Sequence, residues 1–192
     1  MFHEENSKSL CASKNADAIR ETEETISEIC PKSLVVRTNA FGWSPIGLNG
    51  GWLESMLTSL EHNDSADIDP ISHATPILAT DLADCLEAAL EDELIGTYHI
   101  AGADRVSPHQ FATQLAIAFE LNAPQSRTVS ELAARPLGFG RGETSLQTRL
   151  FRKEYDCSMP LVSEGITRLI EHQAAGFRSR LLGEGVFVSR AA

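Results

Sequence analysis

The feature that most constrains the fold is the alternation, along the chain, of segments with helical periodicity and short β-branched runs. The run Leu34 to Val36 has the character of a strand buried in a parallel sheet, and Pro31 ends the helical pattern before it. The predicted elements are helices over 15–30, 52–60 and 162–173, two further helices starting near Thr80 and Ser107, and strands over 34–36 and 98–100. Alternation of this kind is typical of α/β proteins, so we expect an α/β fold.

Two helix starts carry recognisable signals. Ser107, Pro108 and Gln110 have the spacing of a capping box with proline at the first helical position. Thr80 and Asp81 predict another start, in which the hydroxyl accepts backbone N–H groups and the carboxylate favours the positive end of the helix dipole. We expect Asp81 to serve this helix rather than a ligand.

Charge and composition exclude several classes of partner. The formal net charge is -11, which repels phosphate backbones and anionic lipid surfaces, so we expect no nucleic-acid partner. No apolar run approaches the ~20 residues of a membrane span, and residues 1–6 lack the regions of a secretory signal. The sequence therefore predicts a cytoplasmic protein without a membrane partner.

The cysteines and histidines do not predict a metal centre. The four cysteines are scattered at Cys11, Cys30, Cys85 and Cys157, without a C-x-x-C pair. The histidines also form no pair at metal-ligand spacing. We therefore expect free thiols and no metal.

The segment 33–45, SLVVRTNAFGWSP, is a strand followed by a loop rich in glycine and proline. It resembles the dTDP-4-dehydrorhamnose reductase (RmlD-like) family of extended short-chain dehydrogenases and reductases. The likeness continues through HATPILATDLADCLEAAL, GTYHIAG and SPHQFATQLAIAF, and through Arg135-Pro136 and Met159-Pro160 in family order. Upstream, FHEEN and a helix reaching Glu23 resemble the stretch around the family's Y-x-x-x-K motif.

The resemblance implies an organisation in which only part of a family enzyme is present. Family members combine an N-terminal Rossmann half, which binds NADP(H), with a lobe that holds the sugar nucleotide. We expect residues 1–38 to be a remnant of the Rossmann-sheet region, 39–175 the sugar-nucleotide-binding lobe, and 176–192 a C-terminal tail. No G-x-x-G-x-x-G motif follows a strand, so we expect no cofactor to be bound by this chain alone.

The catalytic pair that the resemblance implies is also missing. Family chemistry uses a tyrosine as the proton donor and a lysine, one helical turn later, that lowers the tyrosine pKa. An ungapped alignment places Asn15 and Ile19 at these positions. A shifted register keeps Lys14 but pairs it with Leu10. We therefore assign no catalytic residue.

Four residues are candidates for contact with a nucleotide-linked sugar. Asn39, Phe41 and Trp43 follow the strand, at the carboxyl end where open α/β sheets bind ligands. Arg135 resembles a family position near the substrate, and a guanidinium suits bidentate phosphate binding. The alternatives are that the two rings cap the core and that Arg135 is a solvated surface residue.

Three functions remain open at this point. The chain is a piece of an NADPH-dependent keto-sugar reductase, truncated by gene decay, a misplaced start codon or a frameshift. Alternatively, it is a non-catalytic binding module, like the family branch that regulates methionine adenosyltransferase. Or it is a remnant without a ligand. Because the neighbours of the first helix and strand are missing, we also expect self-association or a separately encoded Rossmann half.

Overall fold

The fold is a mixed α/β arrangement, as the alternation of segments predicts. A computed structural model describes residues 4–5, 14–44, 51–62, 72–124 and 142–181. In chain order the elements are α1 (Lys14–Ile29), β1 (Leu34–Arg37), β2 (Ala40–Phe41), α2 (Trp52–Glu61), β3 (Ile77–Leu78), α3 (Ala79–Glu91), β4 (Gly96–His99), α4 (Pro108–Ala118), α5 (Arg149–Tyr155), α6 (Val162–Ala174) and α7 (Phe177–Leu181).

The strands form two parallel pairs. β1 pairs with β4 from Leu34 opposite Gly96 to Arg37 opposite His99, and β2 pairs with β3. Because β2 starts three residues after β1, one nearly continuous extended segment contributes to both pairs. Both pairs therefore bring carboxyl ends of strands toward the segment that follows β2.

Two hydrophobic clusters fill the interior. The larger cluster packs β2 and helices α2, α4 and α6 together, and its fully buried members include Leu53, Phe111, Leu115 and Leu169. The smaller cluster lies between the β1–β4 pair and helices α3 and α5, around Ile100 and Phe151. The sheet edge that follows β2 borders the larger cluster.

At two positions, only glycine permits the close packing that is observed, because any side chain would collide with a neighbouring atom. A Cβ at Gly102 would lie 2.0 Å from the carbonyl oxygen of Pro76, and a Cβ at Gly165 would lie 2.9 Å from the ring of Phe41. Both distances are shorter than a carbon atom tolerates. Gly165 therefore lets α6 pack directly on the end of β2.

The predicted capping box of α4 is confirmed. The Ser107 hydroxyl accepts the N–H of Gln110 at 3.1 Å, and the Gln110 side chain accepts the N–H of Ser107 at 2.8 Å. Pro108 is the first helical residue, where its missing N–H costs nothing.

The predicted cap of α3 is wrong by two residues. Leu78 is the N-cap, so Thr80 lies inside the first turn, and its hydroxyl makes no hydrogen bond to a described group. β3 runs directly into α3, which leaves no loop residue to act as a polar cap. Asp81 lies in the first turn, as expected, and also pairs with Arg168 of α6 at 2.5 Å.

The tail retains helical structure at its beginning, where the sequence has no clear period. α7 follows α6 after a turn at Gly176, and the Phe177 ring stacks on His172 with centroids 4.8 Å apart. The first residues of the predicted tail therefore form a short helix that packs against α6. Residues 182–192 lie outside the described residues.

Candidate functional site

Asn39 joins the end of β1 to the segment before β3. Its side-chain oxygen accepts the Thr75 N–H at 3.2 Å and the Thr75 hydroxyl at 3.1 Å. Its main-chain oxygen accepts the Ile77 N–H at 3.1 Å. The Thr75 oxygen in turn accepts the Leu146 N–H at 3.1 Å. The amide oxygen of Asn39 is thus used to fix the strand end, while its contact with a ligand stays a prediction.

Phe41 and Trp43 lie in the core beneath the strand end. Phe41 is 2% exposed and meets Phe111 edge to face, with ring centroids 5.1 Å apart. Trp43 is 8% exposed, and its indole N–H donates to the carbonyl of Leu169 at 3.2 Å. The structure therefore gives both rings a packing role, and their contact with a ligand stays a prediction.

Glu54 is a residue of this region that the sequence analysis missed. Its carboxylate is buried and accepts the Ser44 N–H at 2.7 Å and the Gly51 N–H at 2.8 Å. Glu54 lies at the third position of α2, a position where glutamate commonly accepts the N–H of the N-cap residue. The available signal was the spacing of Gly51 and Glu54, but the capping-box pattern requires a hydroxyl residue first.

Arg135 lies outside the described residues. The structure shows instead how the chain is held at Gly142, the next described residue. The Gly142 N–H donates to the Ser72 hydroxyl at 2.9 Å, and its carbonyl accepts the His73 N–H at 2.8 Å. Arg105 also pairs with Glu143. Burial alone would raise the pKa of Glu143, but its hydrogen bonds with Arg105 and Ser145 lower it well below the ordinary value.

An ion pair connects α1 to β1. The Arg37 guanidinium donates to both carboxylate oxygens of Glu23, at 2.8 and 2.6 Å, and holds the pKa of that carboxyl below its ordinary range. Arg37 Nη1 also donates to the main-chain oxygen of Glu5 at 3.2 Å. The fully buried His99 places Nε2 3.4 Å from the same Nη1, and the ring nitrogen is the acceptor because arginine only donates.

Neither of the two tyrosines of the chain belongs to α1. Tyr98 is in β4 and Tyr155 is in α5. Burial raises the pKa of Tyr98, with Glu154 adding to the effect, and burial raises the pKa of Tyr155, with Asp92 adding to it. A tyrosine that donates a proton near neutral pH requires a shift in the opposite direction. Neither phenol is therefore prepared for that reaction.

The described residues contain no group of three His, Cys, Asp or Glu side chains placed to hold a metal ion. Across the same ranges, no helix has the length and apolar character needed to cross a membrane.

A protein-family model described as the RmlD substrate binding domain matches residues 3–175. A search of curated proteins gave no match.

Several solved structures share the fold. One is a dTDP-4-dehydrorhamnose reductase from Bacillus anthracis in complex with NADP, with a TM-score of 0.74 and 18% identity over 89% of this chain and 59% of that one. A dTDP-4-dehydrorhamnose reductase ortholog from Clostridium acetobutylicum has a TM-score of 0.75 and 17% identity, over 91% of this chain and 60% of the ortholog. A UDP-N-acetylglucosamine 4-epimerase from Bacillus cereus has a TM-score of 0.61 and 13% identity, over 88% of this chain and 57% of the epimerase. The chain thus spans about three fifths of the length of these proteins, and the likeness shows that it shares their fold.

Proposed function

Because the chain belongs to the family of RmlD substrate binding domains, we propose that it binds a nucleotide-linked sugar. In this proposal it is the sugar-nucleotide-binding part of an NAD(P)-dependent reductase of the dTDP-4-dehydrorhamnose type. The observation that carries the proposal is the family match over residues 3–175, together with the fold shared with a reductase solved with NADP. Open α/β sheets bind ligands at the carboxyl ends of their strands, which supports a site after β1 and β2.

The proposed site has a framework and a phosphate contact. Asn39, Phe41 and Trp43 form the framework, because their hydrogen bonds and packing fix the backbone where β1 and β2 end. Arg135 is the proposed contact for the diphosphate, since a guanidinium can donate two parallel hydrogen bonds to phosphate oxygens. No metal is required in this arrangement.

Isothermal titration with dTDP-glucose and UDP-glucose tests the ligand. We expect weak, saturable binding to the wild-type chain, lost or reduced at least tenfold in Arg135→Ala. An exposed arginine elsewhere, Arg152→Ala, serves as the control because it removes the same charge from α5. No heat with either nucleotide sugar, or equal binding by Arg135→Ala and wild type, contradicts the proposed site.

We further propose that the chain does not complete hydride transfer as it stands. Asn15 and Ile19 occupy the positions that resemble the family's tyrosine and lysine, and burial raises the pKa of both Tyr98 and Tyr155. The sequence also has no glycine-rich turn for the cofactor diphosphate, so NADP(H) belongs to the complete family enzyme in this proposal. We expect no NADPH oxidation with a nucleotide-linked 4-keto sugar. Turnover proportional to protein concentration contradicts this.

The second candidate is a non-catalytic binding module, like the family branch that regulates methionine adenosyltransferase. Asn15 and Ile19, at the positions that resemble the family's tyrosine and lysine, favour it, because a regulatory module needs ligand binding without a proton donor. A pull-down with purified methionine adenosyltransferase separates the candidates: stable, stoichiometric retention favours the regulatory role, and no retention favours the reductase part.

A further inference from the structure

Three helices of the described chain begin with the same hydrogen bond. In α2, α4 and α6 the side chain at the third helical position accepts the N–H of the N-cap residue, each at 2.8 Å: Glu54 with Gly51, Gln110 with Ser107 and Glu164 with Leu161. Gln110 and Glu164 are exposed, whereas Glu54 is only 7% exposed. Helix capping works at the surface, so it does not explain why Glu54 is buried, where a carboxylate is costly.

The second carboxylate oxygen of Glu54 supplies the reason. It accepts the N–H of Ser44 at 2.7 Å, so one carboxylate holds two main-chain donors that are seven residues apart. Ser44 ends the described segment after β2, and Gly51 precedes α2. The contact is tight, because a Cβ at Gly51 would lie 3.0 Å from the Glu54 carboxylate and 3.1 Å from the Ser44 Cβ. Glu54 therefore ties the end of β2 to the start of α2.

Charge-assisted hydrogen bonds from a carboxylate to main-chain N–H groups are among the stronger protein hydrogen bonds. A buried carboxylate with two such bonds fixes its donors more firmly than a solvated one. Because Glu54 uses both oxygens for main-chain groups, its effect on a ligand passes through the backbone that it holds.

We propose that Glu54 is a positioning residue of the nucleotide-sugar site, which fixes the backbone at Ser44 beside the carboxyl end of β2. This inference rests on the proposed function, since it assumes that the nucleotide sugar binds at that strand end. Glu54 itself touches no ligand. Its removal lets Ser44 and Gly51 separate, and the bound ligand loses contacts that depend on their placement.

The test compares three variants by isothermal titration with dTDP-glucose, at a temperature where circular dichroism shows each to be fully folded. Glu54→Ala is expected to bind at least tenfold more weakly than wild type. Glu54→Gln keeps one good acceptor oxygen and is expected to recover part of the affinity. Glu164→Ala removes an equivalent cap at the surface of α6 and is expected to change affinity less than twofold.

The outcomes separate this inference from the proposed function. If wild type binds and Glu54→Ala binds equally well, the positioning role is overturned while the function stands. If wild type binds no nucleotide sugar, the function falls and the inference with it. If Glu54→Ala does not fold, the Glu54→Gln variant decides. Binding by Glu54→Gln that is at least threefold weaker than wild type, with binding by Glu164→Ala unchanged, supports the positioning role. Binding by Glu54→Gln equal to that of wild type overturns it.

Discussion

The indole of Trp43 can act in the core or on a ligand, and one substitution distinguishes these roles. Trp43→Phe keeps an aromatic ring but leaves the Leu169 carbonyl without the indole donor that lies 3.2 Å away. We expect a loss of about 0.5–1.5 kcal/mol in the free energy of unfolding, measured by chemical denaturation, because one buried hydrogen bond is lost while the carbonyl keeps its helical donor. Nucleotide-sugar affinity should fall only slightly, because the phenyl ring keeps the packing beneath the strand end.

Phe119→Leu provides the matched control for Trp43. It removes the edge-to-face partner of the indole, whose centroid lies 6.3 Å from the Phe119 ring, but keeps the hydrogen bond to Leu169. We expect a smaller loss of stability in this variant. A tenfold loss of affinity in Trp43→Phe alone would instead place the ring in contact with the ligand.

Among the cysteines that the structure describes, Cys85 should react most slowly with an alkylating reagent. Burial raises its pKa to about 11, and the nearby Cys157 adds to the shift. The reactive thiolate is therefore about a thousandfold less populated than the thiol at pH 8. We expect an alkylating reagent to label the exposed Cys30 and Cys157 first, as measured by mass spectrometry of peptides. Equal labelling of Cys85 in the folded protein would contradict its burial.

The Glu23–Arg37 ion pair should stabilise the contact between α1 and β1 by an amount that depends on pH. The hydrogen bonds from Arg37 lower the pKa of Glu23 in the folded protein, so the stabilisation is complete above the ordinary carboxyl pKa and is lost as pH falls through the lowered value. The side chain of Arg37 is 32% exposed and that of Glu23 is 18% exposed, which limits the contribution to ~1 kcal/mol after solvent screening.

Hydrogen exchange of α1 amides measures this contribution. We expect Glu23→Gln to exchange about fivefold faster than wild type at pH 7, since ~1 kcal/mol corresponds to that factor, and at nearly the wild-type rate at about pH 3. Glu24→Gln removes a charge from the exposed side of the same helix and should have no effect. A ratio that does not change with pH would mean that the carboxylate charge is not involved.

At the scale of elements, α3 and α4 are each followed, two positions after the last helical residue, by a glutamate where glycine is preferred. Glu93 after α3 and Glu120 after α4 have φ angles of 50° and 56°, in the left-handed region. The next residues, Leu94 and Leu121, donate back to Ala89 and Ala116 at 2.8 Å, which completes a Schellman motif in each case.

Glycine at either position should stabilise the protein. We expect Glu93→Gly and Glu120→Gly each to add about 0.5–1 kcal/mol to the free energy of unfolding, because the Cβ strain and an unfavourable charge at the helix end are both removed. Glu91→Gly is the control, since Glu91 is the last residue of α3, and there glycine should cost up to about 1 kcal/mol. Thermal unfolding compares the three, and destabilisation by all of them would contradict the argument.

Sequence patterns predicted elements better than they predicted the site. Helices over 15–30, 52–60 and 162–173 lie within one residue of α1, α2 and α6, because an apolar stripe at helical spacing depends only on local sequence. Glu54 was missed because its burial depends on Ser44, which the chain brings back from ten residues away. The packing of Phe41 likewise depends on Gly165, which is remote in sequence. Contacts of this kind cannot be read from local periodicity.

At the scale of the whole molecule, α1 is exposed in the part of the chain that the structure describes. Apart from Glu23, every described side chain from 17 to 29 is exposed, including Ile19 at 59%, Ile26 at 41% and Ile29 at 79%. Among the described strands, β4 alone pairs with β1, so the second edge of β1 has no partner there. Burying the three isoleucines against a partner would contribute several kcal/mol, at about 1.5–3 kcal/mol for each side chain.

We therefore expect the isolated chain to self-associate, or to bind a separately supplied Rossmann half, through α1 and β1. Sedimentation should show mass increasing with concentration in the micromolar range. Replacing Ile19 and Ile26 with glutamine should reduce association, whereas Ile117→Gln, which changes an isoleucine that is 74% exposed on α4, should not. A monomer at all concentrations, with no binding of a hydrophobic dye, would contradict the expectation.

The pairing of β1 with β4 also has a consequence for synthesis on the ribosome. Gly96, which pairs with Leu34, follows it by 62 residues, so β1 emerges long before its partner has been translated. At ~5–20 residues per second, this interval is roughly 3–12 seconds. During that time β1 lacks the strand with which it pairs among the described residues, so nascent-chain chaperones can bind this apolar segment before residue 99 is made.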